Sequence, residues 1–153
     1  MEKSRIKNSN IRISKLSFGT SALGDMPDTY GYSVDEGRAR ETINAIFESE
    51  CNLIDTSRNY GFGNAEKRIG QVIQERGGLP DGFVISTKLD RDMKTQKFDA
   101  TRARKSIEES LDALKVDSIG VLHLHDPEHC RDITEITSQH GSLTELFKMK
   151  EEG

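Results

Sequence analysis

Cysteine, tryptophan and long apolar runs are scarce or missing in this sequence of 153 residues. It has two cysteines, Cys51 and Cys130, and no tryptophan. Two isolated thiols are too few for a disulfide framework, and in a cytosolic chain they are more often packing residues than a ligand pair. No run of 18 apolar residues occurs, which excludes a membrane-spanning helix on hydropathy grounds.

A strong charge of either sign is also missing. The chain has 22 lysines and arginines and 26 aspartates and glutamates, for a formal net charge of -4. This balance offers no continuous positive field to phosphate backbones or anionic lipids, so neither nucleic acid nor a membrane is an expected partner. The first residues, M-E-K-S-R-I-K-N, lack the apolar core of a secretory signal, so we expect a cytoplasmic protein.

Short apolar runs alternate with amphipathic stretches along the chain. Runs 16–20, 52–56, 83–89 and 118–125 predict four buried β-strands, and amphipathic segments beginning near residues 33, 65, 99 and 142 predict four helices. Nearly uniformly apolar strands that alternate with helices indicate an α/β fold, with a parallel sheet covered by right-handed crossovers. Residues 11–15 alternate in polarity, which predicts a short hairpin arm within 1–15.

Capping patterns indicate where three of these helices begin. Ser33 with Glu36, and Ser142 with Glu145, have the spacing of a capping box, in which a serine and a glutamate satisfy the free N–H groups of the first turn. Asp99 precedes a third amphipathic segment and is a plausible N-cap. We therefore expect Ser33, Asp99 and Ser142 to open helices.

Polar side chains lie at the carboxyl ends of the predicted strands. Asp55, Lys88 and His125 each stand at or next to a strand end, and Tyr60 follows five residues after Asp55. Parallel α/β sheets carry their chemistry at this edge, in a barrel as in an open sheet. The sequence therefore predicts that these four side chains share one pocket.

The four residue types suit proton transfer coupled to reduction of a carbonyl. A phenol with a reference pKa of about 10 is a weak acid at neutral pH, and a nearby ammonium lowers that pKa by stabilising the phenolate. A carboxylate would hold the ammonium in place. An imidazole would orient a carbonyl oxygen or join the proton relay.

Four motifs in the same order resemble those of the aldo-keto reductase superfamily: L-S-F-G-T-S, N-L-I-D-T-S-R-N-Y-G, I-S-T-K-L and V-L-H-L-H-D-P. The resemblance runs from about residue 16 to the end. Within the superfamily, N-Y-G-F-G-N-A-E and L-H-D-P are most similar to sugar-oxidising members such as D-threo-aldose or galactose dehydrogenases.

The resemblance implies a role for each matched residue. Tyr60 would be the general acid and base, with Lys88 and Asp55 tuning its pKa, and His125 would orient the substrate. Gly19 and Thr20, which match the family's Gly-Thr after the first strand, would lie with Asp55 near the nicotinamide of a bound NAD or NADP.

The resemblance also implies a (β/α)₈ barrel, which takes about 250 residues. This chain supplies four (β/α) units, so residues 1–153 are expected to be the N-terminal half of such a barrel, with 1–15 as its arm. The family's phosphate-binding residues come mainly from the other half.

The resemblance as a whole implies an NAD(P)-dependent oxidoreductase that interconverts an aldehyde, ketone or aldose with an alcohol or lactone. The alternative is a catalytically silent half-barrel that serves as a binding or assembly module and self-associates through its exposed sheet edges.

Other interpretations exist for several side chains. His123 and His125 lie on one face of a strand, but a metal site would need further ligands at other strand ends, and Lys88 would repel the cation. No metal is therefore expected, and His123 is interpreted as lining a barrel. Glu66 is interpreted as a helix-start residue favoured by the helix dipole. Arg102, Arg104 and Lys105 are interpreted as a solvated helix face.

Overall fold

The computed structural model describes residues 1–130 and 132–153. Its strands are β1 (Lys3–Arg5), β2 (Arg12–Ser14), β3 (Phe18–Gly19), β4 (Leu53–Asp55), β5 (Val84–Leu89) and β6 (Val121–Leu124). Its helices are α1 (Pro27–Tyr30), α2 (Glu36–Glu48), α3 (Asn64–Glu75), α4 (Ala100–Leu114), α5 (Thr134–Thr137) and α6 (Ser142–Glu152). The four predicted strands are all present as β3 to β6, each shorter than the apolar run that predicts it.

The strands β3 to β6 form one parallel sheet in sequential order. Their register aligns the carboxyl ends, with Gly19 opposite Asp55, Asp55 opposite Ser86 and Lys88 opposite His123. Each strand is joined to the next through at least one helix, as parallel neighbours require. The predicted α/β fold of four (β/α) units is confirmed. Among the described residues the sheet is open, so β3 and β6 each have one edge without a strand neighbour.

Two of the three predicted helix caps are wrong, and one is confirmed. The cap of α2 is Asp35, whose carboxylate accepts from the backbone N–H of Arg38 at 2.9 Å, and not Ser33. The helix begins at Glu36, three residues after Ser33, so the residue directly before the first turn is Asp35, and an aspartate is among the preferred N-cap residues. Asp99 caps α4 as expected, accepting from the N–H of Arg102 at 2.9 Å.

The third predicted cap, Ser142, is instead the first residue of α6 and is fully buried. Gly141 is the cap because it forms an isolated antiparallel β-bridge with Asp99 and packs against the backbone of Ile136. A Cβ at Gly141 would stand 2.5 Å from the carbonyl oxygen of Ile136, so a serine does not fit there. Tertiary packing therefore decides where this helix begins.

The main core lies between the sheet and helices α2 and α3. Ile54 and Ile85 supply its strand side, and both are almost fully buried. The helices contribute Ala39, Ile43, Ile46, Phe47, Ile69, Val72 and Ile73. These are the apolar positions that recur at helical spacing in the sequence, and burying them is the main favourable term for folding.

The N-terminal arm is an antiparallel hairpin of β1 and β2. Asn52, directly before β4, holds it in place: its side-chain oxygen accepts from the N–H of Ser14 at 2.8 Å. Its amide nitrogen donates to the carbonyls of Arg12 at 2.9 Å and Gly82 at 2.6 Å. The arm therefore packs against the amino-terminal end of the sheet, opposite the predicted site.

None of the helices in the described part of the chain is long and apolar enough to cross a membrane.

Candidate active site

An ion pair stands at the centre of the predicted site. The Lys88 ammonium, on β5, donates to Oδ2 of Asp55 at 2.7 Å and to the carbonyl of Thr56 at 2.8 Å. The other oxygen of Asp55 accepts from the Ser86 hydroxyl at 2.9 Å. Because the Lys88 side chain is only 13% exposed, its charge is little screened by solvent.

Tyr60 lies over this pair, on the loop that follows β4. Its ring centroid is 5.0 Å from the Lys88 Nζ and 5.8 Å from the His125 ring, to which it is perpendicular. The structure thus brings together all four side chains that the strand-end argument predicts. Their chemical roles remain predictions.

Two glycines allow the Tyr60 loop to reach this place. Gly61 has a φ of 61°, and its Cα packs on the backbone of Gly24, in the loop after β3. A Cβ on Gly61 would stand 1.9 Å from the Gly24 carbonyl oxygen, and a Cβ on Gly24 would stand 2.6 Å from the Gly61 nitrogen. Any side chain at either position would push the two loops apart and move Tyr60.

The predicted cofactor residues Gly19 and Thr20 lie next to Asp55 but differ in exposure. Thr20 is fully buried, and its N–H and hydroxyl both donate to the Asp55 carbonyl, at 3.0 and 2.9 Å. Gly19 is exposed, and a Cβ added there would meet no atom within 4 Å. Gly19 therefore offers open backbone surface beside Asp55, whereas the Thr20 side chain holds the end of β4.

Sequence reasoning missed Asp90, a further carboxylate at this site. Asp90 follows the last residue of β5 and is 1% exposed, and its Oδ1 contacts Nδ1 of His125. Ser57 also reaches this nitrogen, at 3.0 Å. One signal could have found Asp90: it stands two positions after Lys88, so continuing the alternation of β5 by one residue puts both on the same side.

The environment of His125 raises its pKa above the usual value. The hydrogen bond with Asp90 is the main cause and outweighs the opposing effect of burial. Asp126 also raises the pKa, and Lys88 lowers it. The imidazole is therefore protonated at a higher pH than a free histidine.

Arg102 is not part of a solvated helix face, and this expectation is wrong. Its side chain is 11% exposed, and its guanidinium contacts the Glu109 carboxylate at 3.2 Å. Its Nε donates to the Asp90 carbonyl at 2.8 Å. The reason is tertiary: α4 begins beside the end of β5, which turns this residue of its first turn inward. His123 is exposed, because the face that a barrel would enclose is open among the described residues.

Glu66 stands in the first turn of α3, as a dipole-favoured residue would, and is also completely buried. Its Oε1 accepts from the Thr87 hydroxyl at 2.7 Å. Burial raises the pKa of Glu66 more than this hydrogen bond lowers it. Thr87 precedes Lys88 and so belongs to the other face of β5. Glu66 therefore lies under the helices rather than in the site.

Replacing Glu66 with glutamine should remove a pH dependence of stability. Because the folded pKa is raised, the native chain binds a proton that the unfolded chain has released, and the free energy of unfolding falls as pH rises through the interval between the two values. Glu66→Gln should unfold at higher denaturant concentration than the wild type above that interval. Glu66→Ala leaves the Thr87 hydroxyl without its partner and should lose about 1–3 kcal/mol at every pH. Urea unfolding from pH 4 to 9 measures both, and parallel curves for wild type and Glu66→Gln would contradict the assignment.

Strands in sequential order, each joined to the next by a helix, with polar side chains gathered at their carboxyl ends, are the units from which the (β/α)-barrel class is built, and among the described residues they form an open sheet. The particular member of that class is shown by comparison. The aldo/keto reductase family model matches residues 15–153, and the chain belongs to this family.

Two of the relatives are named as sugar dehydrogenases. The chain is 34% identical over 146 residues to L-galactose dehydrogenase of Arabidopsis thaliana, covering 95% of this chain and 44% of the relative. It is 28% identical over 142 residues to D-threo-aldose 1-dehydrogenase of a Pseudomonas species, covering 77% and 41%. The chain thus spans less than half the length of these two relatives.

Solved structures agree on the fold. Glycerol dehydrogenase of Gluconobacter oxydans superposes with a TM-score of 0.73 at 27% identity, covering 99% of this chain and 45% of that one. An aldo-keto reductase from Klebsiella pneumoniae, solved in complex with NADPH, gives a TM-score of 0.69 at 22% identity and covers 93% and 43%. Among the residues that the structure describes, no three histidine, cysteine or acidic side chains are grouped as a metal would require.

Proposed function

We propose that this chain carries the catalytic side chains of an NAD(P)-dependent oxidoreductase, which interconverts an aldehyde, ketone or aldose with an alcohol or lactone. The observation that carries the proposal is the half-buried Lys88–Asp55 ion pair beneath the Tyr60 ring, beside His125. Names of relatives support the substrate class, since two of them are aldose or galactose dehydrogenases. The NADPH complex of the Klebsiella pneumoniae protein supports the cofactor class.

The residues present fit a nicotinamide ring at the end of β3. Gly19 leaves open backbone surface beside Asp55, which a flat ring can approach more closely than it could approach a residue with a side chain. Thr20 holds the Asp55 carbonyl and so keeps this surface in place. When bound, the nicotinamide supplies or accepts the hydride at the substrate carbon.

Tyr60 moves the proton in this proposal. In reduction, its hydroxyl gives a proton to the carbonyl oxygen as hydride reaches the carbon. In oxidation, the phenolate takes the proton of the alcohol or of a sugar's anomeric hydroxyl. Lys88 stabilises the phenolate by its charge, and Asp55 fixes Lys88 at 2.7 Å. His125 binds the same substrate oxygen and orients it.

Replacing Lys88 tests this mechanism through its pH dependence. Without the ammonium the phenolate is less stable, so Lys88→Met should move the pH optimum for alcohol oxidation upward. The rate of sugar-dependent NAD(P)H formation, followed from pH 6 to 11 in the active enzyme, measures the shift.

Lys97 provides a matched control for this experiment. Its side chain is 64% exposed and its nearest carboxylate oxygen, on Asp99, is 3.8 Å away. Lys97→Met should leave the optimum in place. An unmoved optimum in Lys88→Met would remove Lys88 from the mechanism and with it the main support for the proposed function.

A second candidate function is supported by the open sheet. Among the described residues, β3 and β6 each leave one edge unpaired, and Phe18 of β3 and Leu16 before it are exposed. Such edges pair readily with other strands. The 153-residue chain alone would then be a catalytically silent module that associates with itself through these edges.

A further inference from the structure

The carboxylate of Asp90 is built into the end of β5 by several contacts. The Ser57 hydroxyl donates to its Oδ2 at 2.9 Å, and the N–H of Asn59 donates to the same oxygen at 3.2 Å. The backbone of Asp90 is held as well, since its carbonyl accepts from Arg102 and its N–H donates to the Ser106 hydroxyl at 3.3 Å. These contacts leave Oδ1 directed at Nδ1 of His125.

A serine, a histidine and an aspartate in contact raise the question of a nucleophilic triad. In such a triad, the serine and the carboxylate engage different ring nitrogens, so that the imidazole can take the serine's proton. Here Ser57 and Asp90 both face Nδ1. The Ser57 hydroxyl also points its proton at Asp90. The cluster therefore does not activate Ser57, and it holds His125 instead.

We propose that Asp90 is a positioning residue for His125: its carboxylate engages Nδ1, so that Nε2 is the nitrogen presented to the substrate oxygen. The inference rests on the proposed function for the identity of that substrate. It needs no change in the fold, because Asp90 and His125 follow neighbouring parallel strands whose carboxyl ends lie side by side.

Because Asp90 keeps a proton on Nδ1, His125 has two defined protonation states. As an imidazolium, its Nε2–H donates to a carbonyl oxygen, which suits reduction. As a neutral ring with the proton on Nδ1, its Nε2 accepts from a hydroxyl, which suits oxidation. Without Asp90 the neutral ring could place its proton on either nitrogen, and one tautomer would present a donor where an alcohol needs an acceptor.

Charged groups around His125 decide where it changes between these states. Asp90 at the end of β5 and Asp126 in the loop after β6 favour the cation, and Asp126 Oδ2 is 3.9 Å from Nε2. Lys88 opposes it, and the Tyr60 ring packs edge-on against the imidazole. Asp90 is the largest of these influences, because it makes the direct hydrogen bond in a buried place.

Imidazole NMR of the purified chain tests the inference without cofactor or turnover. A pH titration of the four histidines, with His125 identified by His125→Gln, should show the wild-type His125 titrating above about 6.5 and carrying its neutral-state proton on Nδ1. Asp90→Asn is nearly isosteric and should lower the pKa of His125, because it removes the main cause of the upward shift. Asp126→Asn is the matched control and should lower it by less, since Asp126 is 55% exposed.

Two results would overturn the inference. One is an unchanged His125 titration in Asp90→Asn. The other, which needs no variant and so holds even if Asp90→Asn does not fold, is a wild-type His125 with its neutral proton on Nε2. Neither result would bear on Tyr60 or Lys88. Conversely, the expected titration in an enzyme that reduces no carbonyl would leave Asp90 in its role and reject the proposed function alone.

Discussion

Tyr60→Phe should lower turnover in the active enzyme by roughly 100-fold or more, the usual contribution of a general acid or base. The substitution removes one hydroxyl and keeps the ring, so the edge-on contact with His125 and the position of the ring over Lys88 should survive. Affinity for the cofactor should therefore remain nearly unchanged. Steady-state kinetics of sugar oxidation and fluorescence titration with NADPH measure the two effects separately.

Tyr32 supplies the control for this substitution. It is 49% exposed and its ring faces that of Tyr30, with centroids 6.0 Å apart, so Tyr32→Phe should keep wild-type turnover. Wild-type turnover in Tyr60→Phe would end the assignment of Tyr60 as the acid. A loss of cofactor affinity as large as the loss of turnover would show instead that Tyr60 serves binding.

The 153-residue chain alone should bind NADPH orders of magnitude more weakly than the complete relatives and show little or no dehydrogenase activity. The resemblance to the family implies that most phosphate contacts come from the half of the barrel that this chain does not match. Each charge-assisted contact is worth about 1.5–3 kcal/mol, so the loss of several is a large effect. The edges of β3 and β6 that have no strand neighbour in the described part of the chain should also make it at least a dimer.

Sedimentation velocity and NADPH fluorescence titration of the purified chain measure both parts of this prediction. A Phe18→Lys variant places a charge beside the β3 edge, where Phe18 is 37% exposed, and should shift the population towards monomer. A monodisperse wild-type monomer that binds NADPH at micromolar concentration and oxidises an aldose would contradict both the weak binding and the self-association.

The spacing of the hydrophobic residues and the polar residues at the strand ends predict most of the secondary structure and the four side chains of the candidate site. The four (β/α) units follow from local patterns, because burying an apolar face forces strand or helix wherever that face recurs at the matching spacing. The convergence of Asp55, Lys88 and His125 follows too, since parallel strands in one sheet end at one edge. Tyr60 lies near them because only five residues separate it from Asp55.

What the sequence could not determine depends on partners far apart in the chain. Asp90 meets His125 across 35 positions, and Gly141, which pairs with Asp99, takes the cap position where Ser142 was expected. Neighbouring elements cover all but 11% of the Arg102 side chain, which was expected to be solvated, and they bury Glu66 completely. Local pattern sets which element forms and which end of a strand is polar. Only the packing of those elements decides which polar groups are buried away from solvent and therefore need hydrogen-bond partners within the protein, because burial is a property of the whole fold.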